Sequence, residues 1–109
     1  MKRTLVLSLL CTLSALAETH LWLGGDGSFS TPELWSGATV PAVGDTIIIS
    51  NGTVTVMSAG SFTGLVSVVL GEGGGLACSE SIETTASIVF STNNTLRVSA
   101  GQLTFHGFA

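Results

Sequence analysis

The feature that most constrains the fold is a pair of alternating apolar runs joined by an Asn-Gly dipeptide. The runs are Thr46–Ser50 and Thr53–Met57, and Asn51 and Gly52 separate them. Alternation with a period of two is typical of a half-buried β-strand. Four apolar side chains share one face of the two predicted strands, and we expect them to face the core: Ile47, Ile49, Val54 and Val56.

The Asn51-Gly52 dipeptide indicates a sharp change of direction between the two strands. Both central residues of a type I′ turn need a positive φ, which Asn and Gly tolerate, so one expectation is an antiparallel β-hairpin. In that register Ile49 faces Val54. The same alternation also suits two strands that meet at a tight corner of a β-solenoid. The sequence therefore leaves the direction of pairing open.

Short strand patterns continue along the chain, separated by Gly, Ser and Asn. β-Branched residues are abundant, whereas helix formers such as Lys and Gln are scarce, and this composition favours strands. The glycine-rich residues 71–75 are expected to form a loop or a corner where backbones approach closely. We expect an all-β fold, a short right-handed parallel β-solenoid segment, with a small β-sandwich as the alternative. The further predicted strands are Leu65–Leu70, Leu76–Ser79, Ser87–Phe90, Thr95–Ser99 and Gln102–His106.

Residues 1–17 are predicted to be a secretory signal peptide. Lys2 and Arg3 precede a short leucine-rich run, and Ala15-Leu16-Ala17 has the small-x-small pattern of a cleavage site. The apolar run is too short to span a bilayer, which takes about 20 residues. We therefore expect a protein that is secreted or held at the cell surface. After removal of the signal it would begin at Glu18 and have no membrane span.

The charge and cysteine content of the remaining chain narrow the classes of partner. Arg97 is then the one strong base against seven acids, so nucleic-acid binding is not expected and adhesion to anionic lipid is disfavoured. Cys78 is left as a single cysteine, which precludes an internal disulfide and favours a buried, hydrophobe-like role. Asn51 and Asn93 begin acceptor sequons and are candidate glycosylation sites in a host that glycosylates.

Motifs of catalytic, metal or cofactor sites are incomplete in this sequence. The glycine-rich segments 24–27 and 71–75 lack the further residues of a calcium-binding repeat and of a dinucleotide fingerprint, respectively. His20 and His106 have no zinc-motif spacing around them. His20 is expected to be mobile beside the cleavage site, and His106 to face outward from a strand. We therefore expect no catalytic residue, no metal and no cofactor.

The aromatic residues Trp22, Phe29 and Trp35 stand out in the N-terminal third of the chain. Exposed tryptophans would stack on sugars, whereas buried ones would plug one end of the core. We favour the plug, because buried aromatic area contributes strongly to the stability of a small domain.

Residues 22–57 carry a run of recognisable motifs: Trp22-x-Gly-Gly-x-Gly-x-Phe29, Leu34-Trp35-Ser36, Pro41-x-x-Gly44-Asp45-Thr46 and the Ile/Val strand pair. This run resembles the N-terminal segment of secreted, autotransporter-like β-solenoid (parallel β-helix) surface proteins. It is also similar to the extracellular G8 domain, another β-rich module. The resemblance implies that residues 18–45 form an N-terminal cap and residues 46–109 a solenoid-like segment of stacked coils.

The residues on which this arrangement depends are expected to be structural. Asp45 should accept backbone hydrogen bonds in the turn before the first long strand. A solenoid end near Leu103, Phe105 and Phe108 would expose strand edges, so we expect self-association through those edges. The structural candidates are Trp22, Trp35, Pro41, Gly44, Asp45, Ile47, Ile49, Val54 and Val56.

The leading functional hypothesis is an exported, non-enzymatic structural or adhesive module of the cell surface. One alternative is the N-terminal part of a β-helix polysaccharide lyase or hydrolase, for which Glu80 and Glu83 are the candidate acids. Another is a small carbohydrate-binding β-sandwich that uses Trp22 and Trp35. The expected partners are a second copy of the chain, a carbohydrate or another cell-surface ligand.

Overall fold

The computed structural model describes residues 17–58 and 60–105, together with the backbone of residues 107–108. Residues 1–16 of the predicted signal peptide and His106 lie outside the described residues. The described part is all-β, with short strands, 3-10 turns and no α-helix. The 3-10 turns are Pro32–Leu34, Ser36–Ala38 and Gly60–Gly64. The strands are β1 (Thr19–Leu21), β2 (Gly27–Ser28), β3 (Thr46–Ile49), β4 (Gly52–Val56), β5 (Ser67–Leu70), β6 (Gly74–Cys78), β7 (Ile82–Glu83), β8 (Ser87–Val89), β9 (Thr95–Val98), β10 (Leu103–Thr104) and β11 (Gly107–Phe108).

Every ladder between these strands is parallel. The first sheet has the order β1-β3-β5-β8-β11, the second β2-β4-β6-β9, and the third pairs β7 with β10. The chain visits the sheets in turn, so each strand lies beside the strand that held the same place one circuit earlier. Thr46 pairs with Ser67 and Ser67 with Ser87, so these circuits take about 20 residues each. This parallel pairing differs from the antiparallel sheets of the β-sandwich alternative.

Each strand predicted from the alternating pattern overlaps a strand of the structure. The pattern did not reveal β1, β2, β7 or β11, which are only two or three residues long. Residues 18–45, the predicted cap region, contribute β1 and β2. These two strands pair with β3 and β4, respectively.

The hairpin expectation for Asn51-Gly52 is wrong, because β3 and β4 belong to different sheets. The dipeptide instead forms a corner, with φ angles of 56° and 143°. Its backbone groups bond to neighbouring circuits and not across the turn: Asn51 N donates to Glu72 O, and Asn51 O accepts from Gly25 N. A side chain at Gly52 would collide with the backbone of Gly25, so this corner requires glycine.

The core is built from side chains that stack in register from one circuit to the next. Ile47, Val68 and Ile88 form one such column in the first sheet, and Val54 stacks on Leu76 in the second. All five side chains are buried. Full burial of one such aliphatic side chain contributes about 1.5–3 kcal/mol. The core thus consists of repeated apolar layers, to which each strand from β3 to β8 contributes one or two buried side chains.

Cys78 belongs to the same core. Its thiol is buried and free, and burial raises the pKa of that thiol. A buried thiol with a raised pKa is a poor nucleophile. Cys78 therefore packs as a small apolar residue, as predicted.

Candidate functional site

An aromatic cluster closes the core at the end of the molecule where β1 and β2 lie. The rings of Trp22 and Trp35 meet edge to face with centroids 4.8 Å apart, and Phe29 meets Trp35 in the same way at 5.6 Å. Both indole nitrogens donate to backbone oxygens, Trp35 to Phe29 at 2.8 Å and Trp22 to Gly25 at 2.9 Å. All three rings are buried. They therefore offer no platform on which a sugar could stack.

The segment that carries Trp35 also covers the edge of β1. Leu21 N donates to Ser36 Oγ at 2.9 Å, and Leu23 N donates to Leu34 O at 2.9 Å. Trp22 and Trp35 form an isolated antiparallel bridge between these two segments. The outermost strand at this end thus has partners for donors that would otherwise be open to another chain.

Asp45 is a buried carboxylate at the same end of the molecule, with 5% of its surface exposed. It follows a turn in which Pro41 is buried and Gly44 has a φ of 93°. Ala42 N donates to Asp45 Oδ2, and Glu18 N donates to Oδ1, both at 2.9 Å. Burial opposes ionisation, but these two hydrogen bonds and His20 outweigh it and hold the pKa of Asp45 below its usual value.

His20 is the third donor to Asp45, and the expectation that it is mobile is wrong. Its side chain is 5% exposed, and Nε2 lies 3.0 Å from Asp45 Oδ2. Because an ionised carboxylate only accepts, Nε2 must carry the hydrogen of this bond. The other ring nitrogen, Nδ1, is buried and has no partner among the described residues. The Glu18 carboxylate lies 3.6 Å from Nε2, so His20 stands between two acids.

A polar groove of about 220 Å³ crosses the outer face of the second sheet. In this sheet the outward residues of β6 are small, Gly75 and Ala77, so the middle of the face is recessed. A Cβ at Gly75 would stand 2.9 Å from Thr53 Oγ1 and 3.3 Å from Thr95 O, so any larger residue would crowd the recess. The groove offers hydroxyl groups, one carboxylate and one guanidinium. Its lining residues are Asp26, Thr53, Thr55, Ala77, Thr95 and Arg97.

The carboxylates considered for glycoside cleavage are both exposed. Glu83 lines a recess of about 310 Å³ together with Gln102 and Thr104, whereas Glu80 is not part of that lining. Across the described ranges, no three His, Cys, Asp or Glu side chains form a group that could hold a metal ion. The recess thus presents one acid without a second acid among its lining residues.

In the described chain, the second sheet ends at β9, at the end of the molecule opposite β1 and β2. Every residue of β9 is exposed, and β9 is the last strand of its sheet in the described chain. Leu96 stacks on buried Leu76 and Val98 on buried Cys78, yet Leu96 is 44% and Val98 40% exposed. These two side chains continue the columns of the core, and no described strand pairs with the outer side of β9.

The two sequon asparagines lie at exposed corners, and each has a φ of 56°. Both asparagines are therefore accessible to a glycosylating enzyme, and glycosylation at either one stays a prediction. Sequence reasoning missed Asn94, whose side-chain amide donates to Gly71 O at 2.8 Å and to Gly74 O at 3.0 Å. A turn asparagine that bonds to backbone carbonyls is a common arrangement, but the acceptors here belong to the preceding circuit.

No protein-family model matches this chain, and neither does a curated protein or a solved structure. Helices long and apolar enough to cross a membrane are absent from the described residues. The described residues thus form a second sheet that ends at β9, a hydroxyl-lined groove and a buried Asp–His pair.

Proposed function

We propose that this chain is an exported, non-enzymatic structural module, the capped start of a right-handed parallel β-solenoid that serves as a scaffold or adhesive stalk at the cell surface. The parallel ladders and the circuits of about 20 residues support this proposal. The run of motifs in residues 22–57 supports it through the resemblance to secreted β-solenoid surface proteins.

The observation that carries the proposal is the difference between the two ends. The edge of β1 has partners in the segment around Ser36. Among the described residues, by contrast, β9 has no strand on its outer side, and the side chains of Leu96 and Val98 are half exposed. Stacked repeats need a further layer at such an end, and open strand edges pair with other chains. We expect a second copy of the chain to dock there, because the ladder between β6 and β9 already supplies the register that another strand would continue.

Self-association at the β9 end can be tested with matched lysine substitutions. The full chain is expressed in an exporting host, and the molar mass of the secreted protein is measured by light scattering over a range of concentrations. We expect reversible oligomers, and we expect Leu96→Lys with Val98→Lys to weaken association by about tenfold or more, because a charged side chain disfavours edge pairing.

The matched control is Leu23→Lys, since Leu23 is 61% exposed but lies at the covered end. This variant should associate like the wild type. A wild type that stays monomeric at every concentration contradicts the docking proposal. Equal weakening by the substitutions at both ends would contradict it as well.

The groove beside Asp26 and Arg97 favours a second candidate function, the binding of a neutral oligosaccharide to the outer face of the second sheet. Hydroxyl groups on both sides of a recessed strand suit a ligand that is rich in hydroxyls. The buried Trp22 and Trp35 play no part in this version.

A calorimetric titration with a panel of oligosaccharides tests the groove. Ala77→Phe should abolish binding by filling the recess, while Val66→Phe, at an exposed position outside the groove lining, should bind like the wild type. This candidate is wrong if the wild type binds no member of the panel.

A further inference from the structure

The backbone nitrogen of Glu18 is hydrogen-bonded to the buried carboxylate of Asp45. It donates to Asp45 Oδ1 at 2.9 Å, while Ala17 and the Glu18 side chain are exposed. The bond between Ala17 and Glu18 is also the one at which the sequence predicts signal cleavage. The position that would become the amino terminus is therefore already within hydrogen-bond distance of a buried negative charge.

We propose that Asp45 is the binding site for the α-ammonium group that cleavage after Ala17 creates on Glu18. In the cleavage step, a host signal peptidase catalyses hydrolysis of the peptide bond. Water supplies a hydroxyl group to the Ala17 carbonyl carbon and a hydrogen to the Glu18 nitrogen, and the freed amine takes a proton from solvent. This inference rests on the export that the proposed function includes.

The geometry explains why the α-ammonium group of Glu18 should remain bound to the Asp45 carboxylate. Oδ1 is the oxygen that accepts from Glu18, whereas Oδ2 is held by Ala42 N and by His20 Nε2. Charge-assisted hydrogen bonds are roughly twice as strong as neutral ones, so an ammonium donor strengthens a contact whose geometry already exists.

The ion pair would anchor the first strand. Glu18 O accepts from Thr46 N at 2.9 Å, and β1 begins at the next residue, Thr19. An ammonium group fixed on Asp45 thus holds the outermost strand against β3. Export and processing would in this way stabilise the covered end more than the uncleaved chain does.

The charged and titratable groups that surround the new terminus are few. In the described structure they are the Asp45 carboxylate, the His20 ring and the side chain of Glu18 itself. An α-amine has an ordinary pKa of about 8, and the Asp45 carboxylate would raise it. Stability from this pair would be fully present below about pH 8 and lost as the pH rises through the folded-state pKa.

The sequence permits a direct chemical test. The only lysine of the chain is Lys2, which leaves with the signal, so the α-amine of the cleaved protein is its single primary amine. The secreted full-chain product is checked by intact mass and then treated with an amine-selective ester at pH 7.5. We expect the folded wild type to label at least tenfold more slowly than the same protein in urea.

Two variants test whether slow labelling is due to the contact with Asp45 or to general shielding of the amine by the folded protein. Asp45→Asn should label at close to the unfolded rate. An alanine inserted between Ala17 and Glu18 moves the charge off the carboxylate without touching Asp45, and it should have the same effect even if Asp45→Asn fails to fold. Glu33→Gln removes an exposed carboxylate elsewhere and should keep the slow rate.

The outcomes distinguish the inference from the export proposal on which it rests. A secreted chain that begins at Glu18 but labels rapidly while folded contradicts the inference alone. A chain cleaved at another bond also overturns it and leaves export standing. A chain that retains residues 1–17 overturns both.

Discussion

The two ends of this molecule terminate the columns of core residues in different ways. At the β1 end, the edge donors of Leu21 and Leu23 have partners, and Trp35 fills the space beneath. At the β9 end, Leu96 and Val98 occupy the corresponding core columns and remain half exposed. The comparison teaches that alternation determines which face of a strand points inward. Whether an inward side chain is buried depends on whether a neighbouring segment packs over it.

The largest expected effect is at the covered end. Trp35→Ala removes a fully buried ring that contacts Trp22 and Phe29 and donates a hydrogen bond. We expect a loss of about 3–5 kcal/mol in the free energy of unfolding, measured by urea denaturation. Leu23→Ala, at an exposed position of the same end, serves as the control and should change it by less than about 0.5 kcal/mol. Similar losses in the two variants would show that the aromatic cluster does not close the core.

The comparison is sharpest within one ladder of the second sheet, where Leu76 pairs with Leu96. Leu76 is buried, whereas Leu96 is the exposed residue of the last strand. Leu76→Ala should cost about 2–5 kcal/mol in the free energy of unfolding. Leu96→Ala should cost clearly less in dilute solution, because much of its surface is already in water. Equal costs would mean that the β9 end is covered in solution.

Asp45→Asn tests the polar part of the covered end. We expect a loss of about 1–3 kcal/mol at pH 7, because three donors lose an ionised acceptor. The pKa of Asp45 is lowered by folding, so its contribution is present above the ordinary value near pH 4 and is lost as the pH falls through the folded-state pKa. The stability difference between wild type and variant should therefore shrink in acid. A difference that stays constant down to pH 2 would exclude a role for the ionised carboxylate.

The smallest effect is expected at the corners. Asn51→Ala places a side chain that disfavours positive φ at a position with a φ of 56° and should cost about 1 kcal/mol. Asn51→Gly removes that strain and should be close to neutral. Equivalent changes at Asn93, also at 56°, provide the comparison near the other end. Urea denaturation of the four variants measures both pairs, and a costly Asn51→Gly would indicate that the side chain itself bonds at the corner.

The sequence predicts the strands well because alternation is a local property. It leaves the pairing direction of β3 and β4 open, since the same inward set, Ile47, Ile49, Val54 and Val56, serves either a hairpin or a corner. Neighbouring circuits decide between them by taking the backbone groups of Asn51. That information lies in residues about 20 positions away, outside the reach of any local pattern.

The candidate sites show the same limit. The sequence predicts that Asp45 accepts hydrogen bonds in its own turn, which Ala42 N provides. Its other two donors, Glu18 and His20, lie 27 and 25 residues earlier in the chain. A histidine beside a cleavage site gives no local signal of burial. The groove forms because the small residues Gly75 and Ala77 of β6 lie between larger residues of β4 and β9. The pairing of these three strands depends on the folded chain and cannot be derived from any one segment of the sequence.

Hydrogen exchange at two protein concentrations tests the central claim most directly. In dilute solution, the amides of β3 and β6 should be well protected and those of β9 poorly protected. Raising the concentration should slow exchange in β9 while leaving β1 and β3 unchanged, because docking occurs at the β9 end. Two results would contradict the account of a covered β1 end and a docking surface at β9: exchange in β9 that is slow and independent of concentration, or protection that increases at β1 instead.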